Sequence, residues 1–113
     1  MLVFDIEAVR RALEATESRY KEFMRVENMS AGLYRLKAGE TDPQKPHAED
    51  EVYFVTRGRA KFVAGENIQD VAAGSFIFVE AQREHRFVEI TEDLEVLVVF
   101  APPEGSAAAA SKD

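Results

Sequence analysis

The segment GETDPQKPHAEDEVYFVTRG, residues 39–58, carries the most informative pattern in the chain. Its counterpart is GSFIFVEAQREHRFVE, residues 74–89, and the two segments contain both histidines, His47 and His85. Imidazole and carboxylate groups brought together from different strands commonly hold a catalytic divalent metal with coordination positions left open. The two segments therefore carry the candidate chemistry of this chain.

Glu51 begins a run of apolar and aromatic residues in the first segment. Because alternate side chains of a strand point to the same face, Glu51 should share a face with Tyr53 and Val55. A carboxylate on an inward face is costly unless a cation or another group compensates it. His85 and Phe87 form a similar stripe on a later strand, so strands facing each other in a barrel would place His85 near Glu51.

Outside these segments, short apolar runs separated by Gly and polar residues predict an all-β sandwich or small antiparallel β-barrel. Asp5 can cap a short N-terminal helix, about residues 5–16, with Ile6, Val9 and Leu13 on its apolar face. Gly58 and Ala64-Gly65-Glu66 are interpreted as hairpin turns. The predicted strands are Tyr20–Val26, Ser30–Lys37, Glu51–Thr56, Arg59–Val63, Ile68–Val71, Ser75–Val79, His85–Ile90 and Leu94–Phe100.

Length and composition bound the function. With 113 residues the chain should form one domain, over residues 1–103, followed by a disordered tail at 104–113 that is rich in alanine. A net charge of -7 argues against nucleic acid and anionic membranes as partners. There is no cysteine, signal peptide or apolar membrane span, so we interpret the protein as cytoplasmic and soluble.

The two segments resemble the two half-motifs of the cupin superfamily, and the resemblance covers most of the chain. It implies a double-stranded β-helix of the jelly-roll type that holds a divalent metal. By position, His47, Glu51 and His85 correspond to metal ligands, and Lys45 stands where a further histidine belongs. Glu80, Gln82 and Glu89 also depart from the second half-motif. The remaining two-histidine, one-carboxylate set would suit Fe, Mn, Ni or Zn with open positions for oxygen or substrate.

Two functions remain open at this stage. The first is a metal-dependent enzyme, oxygenase-like or isomerase-like, acting on a small oxygenated molecule. The second is a non-catalytic module that binds a small ligand or a metal, or lacks metal altogether, with Glu51 paired to Lys45. Glu49 is a possible further ligand or base. Without a metal, His47 would be a solvated loop residue and His85 would pair with Glu84 or Glu89.

Other residues are interpreted structurally. Tyr53, Phe76, Phe78 and Phe87 are predicted to fill the barrel core. Arginines near strand ends are predicted to be exposed charges rather than an anion site: Arg57, Arg59, Arg83 and Arg86. Because small barrels expose sheet edges that pairing would cover, we also expect a homodimer.

Overall fold

The computed structural model describes residues 1–107. One helix, α1 (Ile6–Glu14), precedes the strands. The strands are β1 (Tyr20–Arg25), β2 (Ser30–Leu36), β3 (Asp50–Ala64), β4 (Asn67–Ala72), β5 (Phe76–Val79) and β6 (His85–Ala101). They form one six-stranded sheet in the order β1-β2-β6-β3-β4, and β5 also pairs with β3. All these pairs are antiparallel, which confirms the predicted fold class.

The two long strands, β3 and β6, differ from the sequence prediction. They pair along their whole length, from Asp50 opposite Ala101 to Ala64 opposite His85. The predicted reversal at Gly58 is wrong, because Gly58 lies inside β3 with a φ of 95° among three register shifts. Glycine at positive φ serves here as a bulge that bends a continuous strand. His85–Ile90 and Leu94–Phe100 are likewise one strand, whereas the predicted hairpin at Gly65 is confirmed.

The bend brings the halves of β3 together around one core. A straight strand would hold Tyr53 and Phe62 about 30 Å apart. Their ring centroids are 5.8 Å apart, and both rings also pack edge-on against Phe87. The sheet therefore curls around its inward face, although β1 and β4, its outer strands in the described part of the chain, are not paired with each other.

Helix α1 packs outside this core. The Asp5 side chain accepts a hydrogen bond from the Glu7 amide, which confirms the predicted cap, and the helix ends at Glu14 rather than near residue 16. Its buried residues Val9 and Leu13 cluster with Leu33 of β2. No helix in residues 1–107 combines the length and the apolar character that crossing a membrane requires.

The predicted aromatic core is half correct. Tyr53 and Phe87 are buried, but Phe76 and Phe78 are 69% and 59% exposed. The pairing explains the error, because Phe76 lies opposite Phe54 and Phe78 opposite Val52. Residues directly opposite each other share a face, and this face is the one turned away from Tyr53.

The segment after β6 does not leave the domain at once. The Glu104 amide donates to the Ser30 hydroxyl at 3.0 Å, and the Ala107 amide donates to Glu49 Oε2 at 3.2 Å. Ser30 and Glu49 are buried, so residues 104–107 cover polar groups of the domain. The rest of the predicted disordered tail, residues 108–113, lies outside the described residues.

Candidate functional site

Glu51 and His85 meet as the strand pattern predicts. Glu51 shares the inward face of β3 with Tyr53, and His85 begins β6. His85 Nε2 lies 2.9 Å from Glu51 Oε1, and each side chain is only 1% exposed. Glu51 lies near the start of β3, whereas His85 pairs with Ala64 at the end of β3. The bend in β3 therefore brings these two residues together as a buried acid-base pair.

The hydrogen bonds around His85 define where its protons lie. Nδ1 is 2.7 Å from the Arg83 carbonyl oxygen, which can only accept, so Nδ1 carries a proton. Nε2 is 2.8 Å from the Tyr53 hydroxyl, which donates its own hydrogen to Gln44 Oε1 at 2.6 Å. Nε2 must then donate as well, to the oxygens of Tyr53 and Glu51. The arrangement is therefore an imidazolium paired with a carboxylate.

The pKa directions agree with this assignment. Burial lowers the pKa of His85, but the hydrogen bonds to Glu51 and to the Arg83 carbonyl outweigh it, and the net pKa is raised. Burial, together with the charge of Glu51, raises the pKa of Tyr53 well above its usual value. Tyr53 therefore stays a neutral hydroxyl that connects His85 to Gln44.

A second acid, Asp42, anchors the far end of this network. Asp42 is 3% exposed and accepts from the Tyr34 hydroxyl, the Phe87 amide and the Gln44 side-chain amide. Sequence patterns do not indicate Asp42, Gln44 or Tyr34 as site residues, and they predict that Tyr53 fills the core. The available signal was the shared face of Glu51 and Tyr53, which places a hydroxyl beside the carboxylate.

The other predicted site residues lie elsewhere. The His47 ring packs edge-on against Phe100 with centroids 4.8 Å apart, and its Nδ1 is 3.8 Å from Glu104 Oε2. Lys45 is exposed, and Glu49 accepts from the Ala107 amide. The structure thus joins Glu51 to His85, leaves His47 apart from that pair, and does not form the expected Glu51–Lys45 ion pair.

The pairings expected for His85 in the absence of a metal are also not formed. Glu84 contacts Arg86, and Glu89 contacts Lys61. Three of the four arginines are exposed as predicted, Arg57, Arg59 and Arg86, and Arg59 pairs with Glu92. Arg83 is only partly exposed, because its guanidinium donates to the Ala64 carbonyl oxygen at 3.2 Å.

A cavity of about 340 Å³ opens beside Glu51. Two residues that line it carry buried oxygens that have no hydrogen-bond partner within residues 1–107, the Tyr20 hydroxyl and Glu51 Oε2. Phe100 and Val98 contribute apolar lining, and His47 and Glu104 line the cavity as well. Burial raises the pKa of the Tyr20 hydroxyl, which therefore stays protonated as a donor. The residues that line the cavity thus include one donor and one acceptor that have no partner among residues 1–107.

A larger open groove of about 740 Å³ separates α1 from the sheet. Two pairs of its charged side chains already contact each other, since Arg10 pairs with Glu95 and Arg19 with Glu40. The smaller cavity is the better candidate site because two residues that line it, Tyr20 and Glu51, carry buried oxygens with no partner in the described part of the chain.

The predicted metal ligands fit a divalent ion only in part. Metal-binding histidines usually donate their second ring N–H to a carbonyl or carboxylate, as His85 does, and Glu51 Oε2 has no partner. The third predicted ligand, His47, lines the same cavity as Glu51, where its ring contacts Phe100 and lies near Glu104. Within residues 1–107 no group of three or more His, Asp or Glu side chains is placed to hold a metal.

Comparison with known proteins identifies the family. The model of the cupin domain matches residues 32–100, so the chain belongs to the cupin family. The chain is similar to the uncharacterized protein SCO3923 of Streptomyces coelicolor, with 50% identity over 104 residues that cover 92% of this chain and 99% of that protein.

Solved structures share the fold at lower identity. TT1209 from Thermus thermophilus is similar with a TM-score of 0.70 and 23% identity, covering 91% of this chain and 99% of that one. The DMSP lyase DddQ from Ruegeria pomeroyi is similar with a TM-score of 0.65 and 20% identity, covering 74% of this chain but only 47% of the lyase. Both likenesses support the cupin fold alone.

Proposed function

We propose that this cupin binds a small hydroxylated molecule in the cavity beside Glu51. The observation that carries the proposal is Glu51 Oε2, a buried carboxylate oxygen without a partner in a residue that lines the cavity. An ionised carboxylate only accepts hydrogen bonds, so the ligand must present an O–H or N–H donor there. Leaving such an oxygen unpaired costs about 1–3 kcal/mol, which ligand binding would recover.

The remaining lining favours a compact molecule with polar groups at both ends. The Tyr20 hydroxyl offers a donor, so an oxygen of the ligand is its natural partner. Phe100 and Val98 line the cavity and would contact the apolar body of the ligand. A volume of about 340 Å³ is at the small end of the range for ligand sites, roughly 300–1,000 Å³.

Catalysis at this site stays a prediction. A ligand hydroxyl bound to Glu51 would lie beside a carboxylate that already shares a proton with His85. Such a pair can take up or return a proton, as general acid-base catalysis requires. The fold also occurs in a protein named as a DMSP lyase. Binding is the proposed function, and turnover of a bound compound would extend it to an enzyme of the oxygenase or isomerase type.

Metal binding is the second candidate, and the orientation of His85 favours it. Glu51 and His85 would hold a divalent ion, and His47 would complete the set by leaving Glu104. Fe, Mn, Ni or Zn at this position would supply Lewis-acid or oxygen chemistry. Elemental analysis of the purified protein, and of protein reconstituted with each metal, tests this proposal. Uptake no greater than in the His47→Ala/His85→Ala variant would reject it.

The ligand proposal is tested with matched pairs of compounds. We would screen monosaccharides, polyols and hydroxy acids by thermal shift and calorimetry, each beside its O-methylated form, which lacks the donor. A binder should lose affinity on methylation, and should bind Glu51→Gln at least about 10-fold more weakly because a charge-assisted hydrogen bond is lost.

Glu92→Gln, on an exposed side chain, serves as the control and should bind like the wild type. The proposal fails if no hydroxylated compound binds at millimolar concentration, or if Glu51→Gln binds each compound as tightly as the wild type does.

The partners, cellular location and oligomeric state of the protein are also proposals. The net charge of -7 supports a protein that avoids nucleic acid and anionic membranes. We further propose that it acts in the cytoplasm as a homodimer.

A further inference from the structure

We propose that two copies of this chain associate through a bare aromatic face of the sheet. The aromatic face is the outer surface of β3 and β5, formed by Val52, Phe54, Phe76 and Phe78. Phe54, Phe76 and Phe78 are 39%, 69% and 59% exposed. Cross-strand pairing places Phe54 beside Phe76 and Val52 beside Phe78, so the four side chains form one patch.

The patch continues two rows of apolar side chains that run across β2, β6, β3 and β5. It is the end of these rows that α1 does not cover. The pairing aligns Leu33, Leu97, Phe54 and Phe76 in one row. It aligns Ala31, Val99, Val52 and Phe78 in the other. Leu33 is 0% exposed because α1 packs on it, whereas Phe76 at the opposite end is 69% exposed. The same sheet face is thus covered by the helix at β2 and left bare at β5.

The composition of the two rows indicates that a second copy of this chain covers the aromatic face. Both rows consist only of apolar residues, although the chain carries a net charge of -7. Two identical copies repel each other over most of their surfaces, and an uncharged face is where they can approach most closely. A two-fold symmetric contact places each aromatic face on its own equivalent, so apolar surface meets apolar surface without a complementary partner.

The size of the patch agrees with the apolar centre of a dimer interface. With roughly 200 Å² for a buried Phe side chain, the three exposed fractions leave about 330 Å² of aromatic surface bare. A standard interface buries about 800 Å² per partner, with a polar rim around a more apolar centre. The aromatic face would supply the apolar centre of such an interface. Association at micromolar concentration is the expected result.

Sedimentation velocity from about 1 to 100 µM tests the proposal. The wild type should be dimeric at tens of micromolar, and Phe76→Ser/Phe78→Ser should raise the dissociation constant at least about 10-fold. These side chains are exposed, so the variant should stay folded, which circular dichroism verifies. Ile68→Ser on β4 is a matched control, because Ile68 is 62% exposed and lies outside the patch.

Three results would overturn the proposal. The first is a wild type that remains monomeric at 100 µM, which would leave the face to another partner or to solvent. The second is a double variant that dimerises as tightly as the wild type. The third is an Ile68→Ser variant that dissociates as far as the double variant does.

Discussion

At the scale of single residues, Tyr53 shows how a core position also serves the site. Its ring packs against Phe62 and Phe87, while its hydroxyl connects Gln44 to His85. Packing of the ring sets the position of the Tyr53 hydroxyl. The hydrogen bond between this hydroxyl group and His85 in turn holds the His85 ring in the orientation that faces Glu51. Packing and proton placement therefore depend on the same side chain.

Removing this hydroxyl should be costly. In Tyr53→Phe the partly buried side-chain oxygen of Gln44 loses its donor, and we expect the free energy of unfolding to fall by about 1–3 kcal/mol. Tyr20→Phe is the control, because the Tyr20 hydroxyl is buried without a partner and its loss should be neutral or stabilising. Urea unfolding of both variants measures the difference. Equal destabilisation by the two substitutions would contradict this account of the network.

Of the residues in the site, the positions of Glu51 and His85 could be predicted from the sequence, whereas the orientation of His47 could not. The contact between Glu51 and His85 follows from strand periodicity, because side-chain direction alternates along β3 and β6. His47 lies in the irregular segment before β3, where no periodicity fixes direction. Its orientation depends on packing against Phe100 and on Glu104, a residue that the sequence analysis assigned to a disordered tail.

At the scale of elements, Gly58 accounts for the main error in the predicted strands. A glycine between two apolar runs indicates a break, but it cannot distinguish a chain reversal from a bulge within one strand. The positions and antiparallel character of the apolar runs were predicted correctly. The continuity of β3 and β6 depends on pairing across the sheet, which local sequence does not encode.

The bulge at Gly58 predicts that alanine substitution there lowers the stability of the protein much more than alanine substitution at Gly74 does. A Cβ at Gly58 would lie 2.3 Å from the Asp93 carbonyl oxygen, whereas a Cβ at Gly74 would have no atom within 4 Å. Both glycines have positive φ, so Gly74→Ala should cost only the backbone strain, about 1–2 kcal/mol. Gly58→Ala should cost clearly more, because the backbone of β6 must also move. Chemical denaturation checks this order, and equal losses would refute it.

Helix α1 is attached to the sheet by a charged pair as well as by its apolar face. Arg10 donates two hydrogen bonds to Glu95, at 2.6 and 2.8 Å, and Glu95 is 7% exposed. Arg10→Met would leave a nearly buried carboxylate without its main partner. We expect the free energy of unfolding to fall by about 2 kcal/mol at pH 7. This is less than the loss of about 3–5 kcal/mol for breaking a fully buried pair, because the Arg10 side chain is 16% exposed.

The stability lost in Arg10→Met should become smaller as the pH falls. Burial raises the pKa of Glu95, but the hydrogen bonds from Arg10 and Thr56 outweigh it, and the net pKa is lowered. A carboxyl group with a lowered pKa in the folded state stabilises the protein above its unfolded pKa, about 4.3, and this contribution disappears as the pH falls through the folded value.

The difference between wild type and Arg10→Met should therefore narrow below about pH 4, as measured by denaturation at several pH values. The exposed pair of Arg59 and Glu92 gives the control, since Arg59→Met should stay close to the wild type throughout. A difference that is unchanged at about pH 3 would show that packing of the Arg10 side chain, rather than its charge, attaches the helix.

At the scale of the whole molecule, one sheet has two different faces with two proposed uses. Its inward face holds the polar network and the cavity, and its outward face is covered by α1 at one end and bare at the other. The alternation along β3 connects them, because Glu51 and Tyr53 point inward while Val52 and Phe54 point outward. Ligand binding and dimer formation thus depend on opposite sides of the same strand.

The net charge predicts how salt should act on the dimer. Each copy carries -7, so association brings like charges together, and the Debye length shortens from about 30 Å at 0.01 M salt to about 8 Å at 0.15 M. Because the aromatic face itself carries no charge, salt should screen the repulsion without weakening the contact. We expect dimerisation to strengthen several-fold between these salt concentrations, as measured by sedimentation at constant pH. Weakening with salt would instead mean that ion pairs hold the copies together, and the interface would have to be a charged surface rather than the aromatic face.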